Sequence, residues 1–272
     1  MTTVTPIKIT AISNLHVGAG EQNFGVVDNL VQRDPVSEIP TINSSSLKGA
    51  IKEHFISILR YKEDSKRVKI IFGHSDKDSA NAGEVKFLPA HLLALPVRSN
   101  KQLYFLATTP DILIEYINNN KTLAKKEINI TIPDIEDNQV YISTADNQCW
   151  VEDYEANNSK AQELNEISTK LFNGEPIALM NTNLFKTISL PIITRNKIAK
   201  DENDDNNLFY EEVVPRQSIF YTFIITPNKT DIEDEEVKKI FDTFLDDIEK
   251  ELIQVGANAS IGYGLCKFQK GA

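Results

Sequence analysis

Two hydrophobic periods alternate along this chain. Residues 6–14 place Ile7, Ile9 and Ala11 at every second position, the period of a half-buried strand. Residues 44–61 instead space Leu47, Ile51, Phe55, Ile58 and Leu59 by helical intervals, and Ser44-Ser45-Ser46 offers that helix N-cap hydroxyls. Thr109-Pro110, a capping residue before a proline, opens a second helix. Two more are expected near 158–173 and at 232–252, the latter carrying Val237, Ile240, Phe241, Phe244, Ile248 and Leu252 on one face. Strands are expected at 84–88, 92–98, 103–108, 127–132, 139–143, 188–199, 208–214, 217–226 and 261–269. Many strands with few interspersed helices predict an α+β fold around an antiparallel sheet. Residues 15–43 are a long irregular stretch, and 62–82 and 201–207 read as exposed loops. No linker divides the chain, so one domain over 1–272 is expected.

Composition narrows the class. The 272 residues are 41% hydrophobic and 25% charged, an ordinary globular balance. Cys149 and Cys266 are too few for a disulfide scaffold. The N-terminus lacks the basic and apolar regions of a secretion signal, and no apolar run reaches membrane-span length. A soluble protein of the cytoplasm, with no membrane partner, is the expectation. The net charge of −10 argues at first against nucleic acid. Its distribution reverses that reading. Segments 201–212 and 231–251 together carry −13, leaving +3 for the rest. Residues 30–70 hold eight Lys and Arg against five acids. A basic surface remains available.

Several short features can carry chemistry. Gly18 and Gly20 follow a strand, yet neither a P-loop nor a dinucleotide fingerprint follows them. They read as a tight turn or as a phosphate-approaching backbone. Asp28, in a loop beside Val26 and Val27, suits a metal ligand or a proton acceptor, and equally an Asx-turn. Arg33 can meet a phosphate or pair with Asp34. Ser45, Ser46 and Lys48 gather hydroxyls and an ammonium at a helix N-terminus, where anions are favoured. Gly256, Gly262 and Gly264 permit either close approach to a polyanion or a helix end and bulged strand. His16, His54, His74 and His91 lack zinc-site spacing, and no GxSxG motif is present.

The order of these features is more specific than any one of them. A strand ending in Leu15-His16-Val17-Gly18-Ala19-Gly20 leads to Val26-Val27-Asp28 and Gln32-Arg33. Ile39-Pro40-Thr41-Ile42 follows, then Ser45-Ser46-Leu47-Lys48-Gly49. Leu88-Pro89-Ala90, Leu95-Pro96-Val97-Arg98-Ser99 and a terminal Gly256-Ala257-Asn258-Ala259-Ser260-Ile261-Gly262-Tyr263-Gly264 complete the series. This resembles the RAMP superfamily of CRISPR proteins, most closely the backbone subunit of type III-B (Cmr) effector complexes, from about residue 6 to 268.

The resemblance implies a modified ferredoxin-like (RRM-type) antiparallel sheet core with insertions at about 62–83 and 110–180. It also implies a β-hairpin thumb at about 188–214. It implies copies stacked in a helical filament on a CRISPR guide RNA, together with other effector subunits. Single-stranded target RNA pairs with the guide and is cut at regular intervals. Asp28 is then the catalytic carboxylate and the ligand of a divalent cation, Mg2+. His16 is a candidate proton shuttle or phosphate contact, and Tyr210, Glu211 and Glu212 are candidates to reach the site of a neighbouring copy. RNA contacts are expected from Arg33, Ser45, Ser46, Lys48, Lys52, Arg98, Arg195, Lys197, Gly262 and Gly264. The family pattern has leucine and proline after the aspartate, where this chain has Asn29 and Leu30. It has a glycine–aromatic pair where this chain has Glu38 and Ile39. The rival readings are a subunit that holds the guide without cutting, and a small-molecule enzyme whose glycine loops bind a nucleotide.

Overall fold

A computed structural model of the chain describes residues 2–20, 26–76, 79–197 and 207–271. Strands β1 (Thr2–Ala11) and β2 (Thr41–Ile42) precede helices α1 (Ser44–Ser57) and α2 (Lys66–Phe72). Five strands follow, β3 (Gly73–Asp76), β4 (Ser79–Ala82), β5 (Lys86–Phe87), β6 (Ala90–Val97) and β7 (Phe105–Thr108), and then α3 (Pro110–Asn119). The middle contains β8 (Val140–Ile142), β9 (Cys149–Val151), β10 (Tyr154–Ala156), α4 (Ala161–Leu171), β11 (Ile177–Met180) and α5 (Thr182–Lys186). The last third holds β12 (Ile192–Lys197), β13 (Asn207–Glu212), β14 (Ile219–Pro227), α6 (Glu235–Lys250), β15 (Ile253–Gln254) and β16 (Leu265–Lys270).

One sheet organises the molecule, in the order β15-β16-β1-β14-β6-β7-β11-β8, with β2 pairing to β6 and β5 to β14 in its middle. β1 lies between β14 and β16, two strands from the far end of the sequence. Ile9 faces Phe220 of β14 on one side and Phe268 of β16 on the other, both pairings antiparallel. Only β11 on β7 is parallel among the described pairings of this sheet. The α+β class expected from the alternation is therefore present, and β12 and β13 form a separate hairpin. Its connector over 200–206, and Ile198 and Ala199 before it, lie outside the described residues.

Helix α1 buries Leu47, Ile51 and Phe55 as its spacing required. Phe55 meets Phe72 of α2 edge-on at 5.5 Å and Phe244 of α6 at 5.6 Å, while Phe72 stacks on Phe87 of β5 at 5.8 Å. This aromatic cluster binds three helices to the sheet. Of the expected α6 stripe, Ile240, Phe241, Phe244 and Ile248 are buried and Val237 is partly so, while Leu252 lies past the helix end and is exposed.

Three local expectations are corrected. The serines do not cap α1: Asn43 is the N-cap residue, without a side-chain hydrogen bond, and the serines form the first turn. Gln32 ties down that end instead, accepting from Asn43 N at 2.9 Å and donating to Ser46 Oγ at 3.1 Å. Residues 62–82 are not simply an exposed loop, since Val68, Ile71 and Phe72 of α2 are buried. Residues 127–132 form no strand, although Ile128, Ile130 and Ile132 pack against the core. Within residues 110–180, β11 and β8 extend the same sheet past β7.

Candidate functional site

The irregular stretch 15–43 is stitched down at several points rather than free. Ala19 N donates to Leu30 O at 2.9 Å, Gln32 N to Val17 O at 2.8 Å, and Thr41 N to Gln32 O at 3.0 Å. Leu15 and Val214 exchange both backbone hydrogen bonds at 2.8 Å. The loop is thereby anchored where β13 returns to the sheet.

Asp28 sits at that junction. Its backbone N–H donates to Tyr210 O at 3.1 Å, and its Oδ2 accepts from Tyr210 N at 2.8 Å. The carboxylate is exposed, and its second oxygen has no partner among the described residues. A local Asx-turn is therefore not its role: a strand distant in sequence aims it. Asp34 makes the Asx-turn, accepting from Ser37 N at 2.8 Å and Val36 N at 3.1 Å. These N–H groups hold its carboxyl below the usual carboxylate range.

Beneath Asp28 lies a buried polar brace. Glu211 and Glu212 are only 3% and 7% exposed. Glu212 accepts from Val31 N at 3.1 Å and pairs with Arg33 Nη2 at 2.5 Å. Glu211 accepts from Arg195 Nη1 at 3.1 Å and from Asn258 Nδ2 at 2.8 and 2.9 Å. His16, 5% exposed, has its Nδ1 2.7 Å from Glu212 O and its Nε2 3.8 Å from Glu211 Oε1. These placements change three expectations. His16 faces inward, almost fully buried between Glu212 O and Glu211. Glu211 and Glu212 are engaged within their own chain instead of reaching toward a neighbour. Arg33 pairs with Glu212 and not with Asp34.

The terminal glycine loop closes the brace. Gly256 has φ +81°, and a Cβ there would stand 2.2 Å from His16 O. Gly264 has φ +75°, with a Cβ position 2.1 Å from Val255 O. At Gly262 φ is +82°, but the space beyond is open. Asn258, itself at φ +66°, holds Glu211 in place, a contact that sequence reading missed. Its place between two glycines signals a turn residue, but nothing local signals a reach to Glu211.

The remaining basic candidates are scattered. Lys48 stands half-buried on α1 with no ion pair among the described residues, whereas Lys52 pairs with Glu63 at 2.8 Å. Arg98 projects 81% of its side chain into solvent at the end of β6 and pairs with Glu152. Arg195 lies over the Phe209 ring at 5.4 Å on the hairpin. Lys197 ends β12, and its side chain lies outside the described residues. Ser45 is exposed, Ser46 is half-buried, and Gly262 faces solvent on the terminal loop. Among the described residues, no group of three or more His, Cys, Asp and Glu side chains is arranged to hold a metal ion. No helix among them is long and apolar enough to cross a membrane.

The RAMP superfamily pattern matches residues 8–267. The chain belongs to the RAMP superfamily. As a RAMP protein it is similar to the CRISPR system Cmr endoribonuclease Cmr4 of Pyrococcus furiosus, 27% identical over 96% of this chain and 93% of the relative. It shares its fold with a chain of the type III-B Cmr-beta complex bound to cognate target RNA, solved by cryo-electron microscopy. That likeness has a TM-score of 0.75 at 20% identity, over 98% of this chain and 96% of the other. Oligomeric Cmr4 from Pyrococcus furiosus superposes with a TM-score of 0.71 at 18% identity, over 99% and 98% of the two chains.

Proposed function

We propose that this RAMP protein is the guide-RNA-binding filament subunit of a type III-B interference complex, working in the cytoplasm with other effector subunits and cutting guide-paired target RNA at regular intervals. The observation that carries the reading is Asp28, an exposed carboxylate held at the root of the β12–β13 hairpin by Tyr210 N–H. Strands β16, β1, β14 and β6, connected through α1 and α6, have the strand order of a ferredoxin-like core. The hairpin is the thumb, and it inserts between guide and target. Arg195 and the exposed Ile192 and Leu208 supply the cationic and apolar surface that a wedge between bases uses.

Cleavage is attack of a ribose 2′-hydroxyl on the adjacent phosphorus. A new O2′–P bond forms and the P–O5′ bond breaks, giving a 2′,3′-cyclic phosphate; the 2′-hydroxyl proton passes to Asp28 and the departing 5′-oxygen takes up a proton from water. Regular A-form duplex denies that step its in-line geometry, and a nucleotide displaced from the stack provides it. Asp28 accepts the hydrogen bond of the 2′-hydroxyl and orients it, while base pairing with the guide chooses the sequence. Hard cations are commonly held by one or two carboxylates plus substrate phosphates rather than by a protein cage. The free oxygen of Asp28 fits that donor pattern for Mg2+, and the cation's chemistry is to neutralise phosphate charge.

The test is Asp28→Asn in the assembled complex with guide and labelled target. Expected is unchanged target binding and loss of the regularly spaced fragments, by at least about a hundredfold in rate. Fragments persisting at the wild-type rate would overturn the role of Asp28, and a wild-type complex that binds target without producing fragments would leave the guide-holding, non-cutting reading in its place.

A further inference from the structure

A groove of about 550 Å³ runs along α1, closed on the opposite side by Leu252, Gln254, Gly256 and Leu265. It is not part of the Asp28 site. Against it stands His54, 3% exposed, with neither ring nitrogen hydrogen-bonded among the described residues, and the Nε2 of Gln254 is likewise buried without a partner among them. Buried polar groups without partners are uncommon in folded proteins, and three such atoms line this one cavity. The walls between them are apolar, formed by Val17, Ile58, Leu252 and Leu265. Ile58 and Leu252 remain 57% and 41% exposed at the rim.

We infer that this groove takes a nucleobase, with its faces between the aliphatic walls and its polar edge on His54 and Gln254. The chemistry excludes an anion at this end. Burial lowers the His54 pKa, opposed in part by Glu251 and Asp247, so the ring is neutral and offers one donor and one acceptor. Glu53 lines the same end and repels phosphate. What remains is a flat, uncharged ring with both donors and acceptors on its edge, which describes a base and not a sugar phosphate. This rests on the RNA-binding reading for the source of the base, which is a strand lying along α1.

The experiment follows the histidine ring signals of the full chain by NMR, with His54→Leu assigning the resonance. AMP and CMP should shift the His54 signal, and ribose 5-phosphate should leave it in place. A single-stranded RNA oligonucleotide should displace AMP; an AMP shift that RNA leaves intact assigns the site to free nucleotides instead. His54→Leu should weaken AMP binding about tenfold, the cost of unmade edge hydrogen bonds, with its unfolding transition retained as proof of folding. An equal shift with ribose 5-phosphate, or a His54 signal that no nucleotide or RNA moves, overturns the inference. If RNA still retards the chain in a gel while His54 is unmoved, the groove fails and the guide-binding reading stands. If no RNA binds, the guide-binding reading itself fails.

Discussion

The hairpin root and the α1 groove are both polar and both buried, and they treat their polar groups in opposite ways. At the root, every carboxylate oxygen of Glu211 and Glu212 has a donor, from Arg33, Val31, Arg195 or Asn258. In the groove, neither ring nitrogen of His54 nor Nε2 of Gln254 has a partner among the described residues. A satisfied buried network fixes one geometry, because each member loses its partners if another moves. An unsatisfied one keeps its hydrogen-bonding capacity for something that arrives later. The root therefore reads as scaffold that aims Asp28, and the groove as a receptor.

The contrast breaks most visibly at its glycines. Gly256→Ala forces a Cβ onto His16 O at positive φ and should cost about 3 kcal/mol, whereas Gly262→Ala, equally left-handed but facing open space, should cost about 1 kcal/mol. Urea unfolding measures both, and equal costs would mean that the terminal loop does not brace His16. Next in size, Glu212→Ala strands Val31 N–H and releases Arg33, a loss of about 2 kcal/mol. A loss near that of an exposed ion pair would demote the root to surface. The smallest effect has the opposite sign. His54→Leu removes an unpartnered buried ring and should stabilise the chain by about 1 kcal/mol. Its pH dependence sharpens the point. Because burial depresses the folded pKa below the unfolded value near 6.5, the unfolded chain binds the proton first as pH falls. Wild-type stability is thus full above about pH 6.5 and declines below it. Thermal unfolding between pH 7.5 and 5.5 should show a flatter decline for His54→Leu, and parallel curves would place the titration elsewhere.

What could be read from the sequence follows from how local each cause is. α1 and α6 announce themselves by period, and α3 by its cap, where Thr109 Oγ1 accepts from Ile112 N. α2 escaped because Lys62, Glu63, Asp64, Lys66, Arg67 and Lys69 surround three buried apolar residues. β11, Ile-Ala-Leu-Met, is buried on both faces and so shows no alternation to detect. Ile128, Ile130 and Ile132 show the opposite: perfect alternation without a neighbouring strand. Asp28, Arg33 and Lys48 could be flagged as chemistry, but their partners could not. Tyr210 N–H lies 182 residues from the carboxylate it orients, and no spacing rule spans such a distance.

The position of β1 constrains how the chain can be made. Its two neighbours in the sheet, β14 and β16, begin at Ile219 and Leu265. β1 must therefore wait, with Ile7 and Ile9 uncovered, until synthesis has passed Ile219 and then Leu265. Native pairing of this kind closes very long loops and folds slowly. The half-finished chain, with its apolar strand exposed, is the state most open to aggregation during synthesis.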